Sequence, residues 1–466
     1  MHHNFHHLCP TGDAKKIIAI SAGQNFRKKD FHCFQQHMHY LNYGLLGLAT
    51  LIKQFSNHEI RMFQADGSVS ELLNTIASNG IDIQNDCDYI LLSIPSSYSV
   101  SWSAEFCEEI HKRSTAKIIV GGRWVVDHHA DWIHEKLKYE SVIIQGFGEG
   151  PLTELLGIEL PPSRKDGSKN CFEWLDYTLL HSYQKYNPSI EISRGCGSGC
   201  LFCADSHFPR LRNKSVDQVM RELDLLDQLY GKYNVYLEAP HFVFENEWIN
   251  TFSQQMQTRQ RIVPWRCTTR VETIPINKLG MLAASGLKVL DVGLESASAT
   301  QLRRMHKTNN PERYLAAAER LLDECNKHGI FVKFNILLYA GETMETVEET
   351  AQWLERHKKQ IKGISANGLV YYHNMSSYAE LAALGASFPE NNQFEEEGYC
   401  ALNLSPEISA ADAVKIGRRL SGIVADQRDF YDLKAFSYFE PGYSYEEFLE
   451  DLHSCDAAAL PFRVEE

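Results

Sequence analysis

The chain has 466 residues, 44% of them hydrophobic, and carries a net charge of -14 at pH 7. That length allows roughly two to three domains with a large buried core. An acidic balance without a Lys/Arg block excludes nucleic acid and an anionic membrane surface as expected partners and points to small molecules or peptides.

No run approaches the ~20 apolar residues of a membrane span, and Met1 to His7, with His2, His3, His6 and His7, lacks the charged-then-apolar pattern of a signal peptide. The expected compartment is the cytoplasm. Twelve cysteines are too sparse for a disulfide scaffold, so Cys9, Cys33, Cys87, Cys107, Cys171, Cys267, Cys325, Cys400 and Cys455 read as ordinary thiols in a reducing environment.

From Lys16 onward, short apolar strands alternate with amphipathic helices. Strands are expected at Ile17–Ser21, Glu59–Gln64, Asp88–Ser93, Ala116–Gly122 and Ser141–Gln145, with helices from Tyr43 and from Ala104. Continuous apolar strands between helices predict a parallel sheet covered on both faces, a doubly wound α/β domain over 14–156. Ser93, Gly121, Gly122, Gly146 and Gly148 fall at strand C-termini, where such folds bind ligands. Residues 157–187 open with a Pro/Gly/Ser-rich polar stretch and read as a linker.

Next comes Ile192-Ser-Arg-Gly-Cys196-Gly-Ser-Gly-Cys200-Leu-Phe-Cys203. Three thiolates are one short of a closed site, so the loop either borrows a fourth ligand or leaves one iron of an iron-sulfur cluster open. Gly195, Gly197 and Gly199 allow the backbone to wrap closely around a cluster and turn amide groups toward its sulfurs. The alternative is a zinc site closed by His207, four residues after Cys203.

Behind this loop, helix Val216–Leu229 and a strand ending at Glu238 begin a βα cycle. It continues through Arg261–Arg270, Leu287–Leu294, Phe331–Tyr339 and Gly363–Tyr372, each strand but the last followed by a helix. Six such units over 188–385 predict a partial parallel barrel with its chemistry at the strand C-termini. Residues 386–466 are acidic, with a helix over Ala411–Ile423 and aromatics at Phe430, Tyr431, Phe436, Tyr438, Phe439, Tyr443 and Tyr445. They read as a C-terminal extension that either caps the substrate or packs in the ordinary way.

The Cys-x3-Cys-x2-Cys loop, with Phe202 before its last cysteine, resembles the cluster loop of the radical S-adenosylmethionine (SAM) superfamily. The resemblance implies a 4Fe-4S cluster on Cys196, Cys200 and Cys203. It also implies reductive cleavage of SAM to methionine and a 5'-deoxyadenosyl radical, which abstracts hydrogen from an unactivated C-H. Phe202 is grouped with the cofactor-binding residues. Gly293-Leu-Glu295-Ser296 and Tyr339-Ala-Gly341-Glu342-Thr343 are similar to strand ends of the superfamily's cobalamin-type branch. On that resemblance Glu295 takes the SAM ribose hydroxyls, Ser296 and Arg270 hold the methionine carboxylate, and Glu238 faces the SAM amino group. The chain departs from the pattern at Glu238, where the usual Gly-Gly-Glu is absent, and at Ala340, which replaces a common Pro.

The first domain's signals, Tyr43 to Leu51, Ser93, Gly121-Gly122 and Gly146 to Gly150, resemble the branch's cobalamin-binding domain. No Asp-x-His-x-x-Gly occurs in Ala22 to His32, so a bound cobalamin is expected without a histidine on its lower face. The expected reaction is cobalamin-dependent C-methylation in natural-product biosynthesis, with electrons from a flavodoxin or ferredoxin. One alternative is a cobalamin-free epimerisation, dehydration or rearrangement in which the first domain is structural and Cys400 returns a hydrogen atom. Another is a non-catalytic zinc or iron-sulfur binding protein.

Overall fold

The computed structural model describes residues 13–24, 34–125, 130–139, 141–372, 378–457 and 460–464. They fall into two compact units, 13–24 with 42–183, and 34–41 with 184–464.

The first unit is a five-stranded parallel sheet of β1 (Lys16–Ser21), β2 (Glu59–Gln64), β3 (Tyr89–Ser93), β4 (Lys117–Gly121) and β5 (Val142–Ile143), in the order β2-β1-β3-β4-β5. Ile17 to Ile20 and Ile90 to Leu92 are buried, as strands with helices on both faces must be. The strand order reverses between β1 and β3, and Asn42 sits at that switch point. Its Nδ2 donates to both Ser21 Oγ and Ser93 Oγ at 3.0 Å. Its Oδ1 caps the helix Tyr43–Phe55 at Leu45 N, and its own N-H donates to Gln64 Oε1 on β2.

The expected linker over 157–187 is only partly one. Phe172, Leu175, Tyr177 and Leu180 are buried, the Phe172 ring lies against Gly47, and His181 N donates to Met62 O at 2.8 Å. The apolar half of the segment therefore packs onto the first unit, and the polar stretch before it lies largely at the surface.

The second unit contains β6 (Ser189–Glu191), β7 (Val235–Glu238), β8 (Trp265–Arg270), β9 (Leu287–Glu295), β10 (Phe331–Leu338) and β11 (Gly363–Gly368). They form a parallel six-stranded sheet in sequence order, the expected partial barrel. Its helices start where local chemistry allows: Ser215 and Gln218 form a capping box for Val216–Leu229, and Asn310 with Pro311 opens Pro311–Lys327. The hairpin of β12 (Val370–Tyr372) and β13 (Tyr399–Ala401) follows β11.

The barrel interior carries charge near its floor. Arg266, 1% exposed, pairs with Asp291, donates Nη1 to Ser437 Oγ at 2.8 Å, and lies over the rings of Tyr236 and Tyr438. Lys333 Nζ reaches the other Asp291 oxygen at 3.1 Å. Burial alone would raise the Asp291 pKa, but Arg266 and Lys333 hold it down at about 2.

Residues 386–466 do not all serve as a cap. Leu433 and Phe436 pack against Val289 and Phe331 near the N-terminal ends of β9 and β10, opposite the ends where barrel chemistry sits. Behind them Phe430, Phe439, Tyr443, Phe448 and Phe462 form a core with Phe34, whose segment was expected in the first domain. His37 secures that segment through Nδ1 to Glu440 Oε1 at 2.7 Å. Cys455 is disulfide-bonded, against the expectation of thiols throughout, while nine other described cysteines are free.

Asp291→Asn should destabilise the fold by about 3–5 kcal/mol, because it leaves Arg266 buried without its counter-charge. The midpoint of chemical denaturation reads this directly, and a change below about 1 kcal/mol would show that the pair does not anchor the floor.

Candidate active site

The cysteine loop is built from the end of β6. Arg194 grips Glu191 with a fork, Nε to Oε1 at 2.7 Å and Nη2 to Oε2 at 3.0 Å, both side chains nearly buried. The chain then doubles back on itself: Leu211 N donates to Arg194 O at 2.8 Å and Cys196 N to Phe208 O at 3.0 Å. This closeness decides the residue at 195. Gly195 has φ +68°, and a β-carbon there would stand 2.2 Å from Pro209 O. Gly197 and Gly199 share the left-handed backbone.

Cys200 is 4% exposed, Cys196 and Cys203 are half-buried, and all three are free thiols. Cys196 Sγ donates to Ser198 Oγ at 3.1 Å, and Arg270 Nη1 donates to Cys200 Sγ at 3.0 Å. Among the described residues no three His, Cys, Asp or Glu side chains stand close enough to hold one metal ion. The His207 side chain lies outside the described residues. A cubane places each thiolate on a different iron, so its ligands need not converge as those of a single zinc must. The donor set of three free thiols on a glycine-rich loop fits such a cluster.

Glu238 ends β7 beside this loop, accepting from Ser189 Oγ at 2.9 Å, with burial pushing its pKa up to about 7. Glu295 ends β9 with φ +66°, an unusual backbone for glutamate, and Lys307 Nζ donates to its Oε1 at 3.0 Å. Tyr314 fixes the same turn through its hydroxyl on Gly293 O at 2.6 Å. Phe202 stands edge-on to Tyr339, ring centroids 6.4 Å apart. Cys400 is buried on β13 opposite Tyr371, its Sγ donating to Ala401 O.

Three of the expected residues have partners within the chain. The Ser296 hydroxyl pairs with Thr350 Oγ1 at 3.1 Å and accepts from Ser298 N at 3.0 Å, which holds the turn together. Arg270 turns both Nη atoms to protein partners, Cys200 Sγ and Lys307 O. At Gly122, φ +113°, a β-carbon would meet Ile94 N and O at 2.6 Å, so the chain's own packing requires the glycine.

The other strand-end glycines differ from Gly122. A β-carbon at Gly146 would meet nothing within 4 Å, one at Gly121 only Ile144 O at 3.5 Å, while Gly148 abuts Leu48. Gly121 and Gly146, with the hydroxyls of Ser21 and Ser93 and the amide of Asn42, are small and polar groups of the kind that a nucleotide tail takes. Residues 25–33 of the preceding loop, His32 included, lie outside the described residues.

His241 escaped the sequence reading. His241 follows the end of β7, its Nε2 3.1 Å from Thr273 Oγ1; burial, then Arg270, Arg210 and Lys307, lower its pKa to about 4 and keep it neutral. Its one signal in the sequence is its place just after a strand end.

Gly195→Ala should cost distinctly more stability than Gly199→Ala. Both lose the left-handed backbone, about 1–2 kcal/mol, but only at Gly195 would the new atom strike backbone. Equal denaturation midpoints for the two variants would contradict this account of the loop.

Comparison with known proteins agrees with this geometry. Residues 190–354 match the family model of the radical SAM superfamily. An uncharacterised methyltransferase of Pyrococcus horikoshii is 23% identical over 349 residues, 67% of this chain and 72% of that protein. The solved radical SAM methyltransferase TsrM from Kitasatospora setae, bound to tryptophan substrate and a SAM analogue, superposes with TM-score 0.65 at 14% identity, covering 97% of each chain. The cobalamin-dependent radical SAM enzyme OxsB, with aqua-cobalamin and SAM bound, gives TM-score 0.58 at 15% identity over 80% of this chain, which spans about half of that protein (55%). Residues 190–354 are thus a radical SAM domain.

Proposed function

We propose that the chain is a cobalamin-dependent radical SAM methyltransferase that methylates an unactivated carbon of a small-molecule or peptide substrate in natural-product biosynthesis. The observation that carries this reading is the cysteine loop at the C-terminal end of a partial barrel, in a chain that also contains a doubly wound unit with a polar switch point. Likeness to the methyltransferases named above supports it.

Cys196, Cys200 and Cys203 would hold the 4Fe-4S cluster, and Ser21, Asn42, Ser93, Gly121 and Gly146 the cobalamin tail. When bound, the cluster supplies the electron that cleaves SAM and cobalamin supplies the transferable methyl group.

The chain's own residues bind, orient and enclose. The Arg194–Glu191 fork holds the loop at the barrel mouth. Lys307 keeps one Glu295 oxygen engaged, leaving the other to accept the SAM ribose hydroxyls. Glu238, its pKa pushed up to about 7 by burial, would accept from the SAM amino group. The Arg266–Asp291–Lys333 floor and the aromatic core beneath it close the lower end against water. Electrons would come from a flavodoxin or ferredoxin in the cytoplasm.

A second reading is a cobalamin-free reaction in which Cys400, a buried thiol on β13, would return a hydrogen atom to the substrate radical.

Anaerobic reconstitution with iron, sulfide and hydroxocobalamin is expected to yield a 4Fe-4S cluster, a retained corrinoid and SAM cleavage, and replacing Cys196, Cys200 and Cys203 together with Ala is expected to abolish cluster and cleavage. A folded wild-type chain that takes zinc and no iron would defeat the proposal, whereas SAM turnover with substrate but no retained corrinoid would leave the cobalamin-free reaction.

Glu295→Gln should weaken SAM binding by about 1–3 kcal/mol, the scale for disturbing a buried charged hydrogen bond. Isothermal titration of the reconstituted variant measures it, and unchanged affinity would remove Glu295 from the ribose site.

A further inference from the structure

Each of three interior arginines of the second unit has its own partner. Arg194 is committed to Glu191 and Arg266 to Asp291, carboxylates that neutralise them. Arg270 is different, because one of its acceptors is a cysteine sulfur. The side chain leaves the end of β8, places Nη1 3.0 Å from Cys200 Sγ, and is held by Nη2 donating to Lys307 O at 2.8 Å, with Glu272 Oε1 at 3.4 Å. Both ends of the contact are shielded, with Arg270 15% and Cys200 4% exposed. The neighbouring sulfurs differ: Cys196 donates to the Ser198 hydroxyl, and Cys203 meets the backbone of Asp205 and Ser206 together with the negative charge of Asp205.

We infer that Arg270 is a positioning residue that sets the reduction potential of the cluster through Cys200, and is not the anchor of the methionine carboxylate. The inference rests on the proposed 4Fe-4S cluster on this loop. A hydrogen bond and a positive charge on a ligating thiolate stabilise the reduced cluster, which carries one more electron, and so raise its potential. Little water reaches the contact to screen it. A guanidinium with both Nη atoms engaged cannot turn to a carboxylate in the barrel without giving up the sulfur or the Lys307 carbonyl. Glu272 opposes the effect by drawing on the same guanidinium. The cluster would therefore be easier for a donor protein to reduce, and the iron at Cys200 is electronically distinct from those at Cys196 and Cys203.

The test is a redox titration of the anaerobically reconstituted holoenzyme, followed by electron paramagnetic resonance, with SAM affinity measured alongside. Arg270→Gln should keep its iron content, shift the midpoint to more negative potential, and change SAM affinity less than about threefold. Arg270→Lys, which retains charge but not the fork, should fall between. Glu272→Gln should move the midpoint to more positive potential and provides the reading if Arg270→Gln fails to assemble. An unmoved midpoint in the Arg270 variants with normal iron, or in Glu272→Gln when those do not assemble, overturns the inference, and a loss of SAM affinity beside it returns Arg270 to the carboxylate. A wild-type chain that assembles no 4Fe-4S cluster removes the underlying reading and the inference together.

Discussion

The missing side chain at Gly195 is the constraint on which the candidate site depends. Two stretches of backbone meet there at a distance that no other residue tolerates, with the Pro209 carbonyl where a β-carbon would sit. That contact allows Cys196 N to reach Phe208 O and Leu211 N to reach Arg194 O, so the loop returns to the barrel within a few residues of leaving it. The Arg194–Glu191 fork holds the return in place, because a bidentate charged pair resists rotation about either side chain. A loop held this tightly presents three thiols at defined positions before any ligand arrives. Little conformational entropy then remains to be lost on assembly.

The barrel beneath the loop is unlike a closed eight-stranded one, whose interior is filled by branched apolar side chains in layers. Here the interior positions include Tyr236, Glu238, Arg266, Thr268, Asp291, Lys333 and Asn335. Such groups are stable only when paired, and the floor satisfies this with one carboxylate between two cations. Packing from Leu433 and Phe436 seals the floor on one side, which confines the polar, water-reachable part of the barrel to the end bearing Glu295, Arg270 and the cysteine loop. Burial there disfavours charge, which pushes the Glu238 pKa up to about 7 and keeps His241 uncharged.

The first unit uses one residue for several tasks. Asn42 ties the ends of β1 and β3, caps the following helix and engages β2, so the switch point is rigid and lined with amide and hydroxyl groups. Rigidity there matters because a ligand tail entering between strands must find its partners already in place.

Sequence alone determined the elements and their order. Apolar runs with strand length, helices with periodic faces and caps such as Ser215 with Gln218 are local signals, and the alternation they produce leaves few topologies other than a doubly wound sheet and a partial barrel. The three cysteines and their glycines were legible for the same reason, since twelve consecutive residues carry the whole motif. Tertiary structure decided what each strand-end residue faces. Ser296 turns to Thr350, 54 positions away, and Arg270 to Cys200, 70 positions away. Gly122 answers to Ile94, Phe172 to Gly47, and Phe34 to an aromatic core near the C-terminus. Spacing along the chain carries no record of such partners, because a side chain's role is set by the atoms that crowd and pair with it after the distant segments have met.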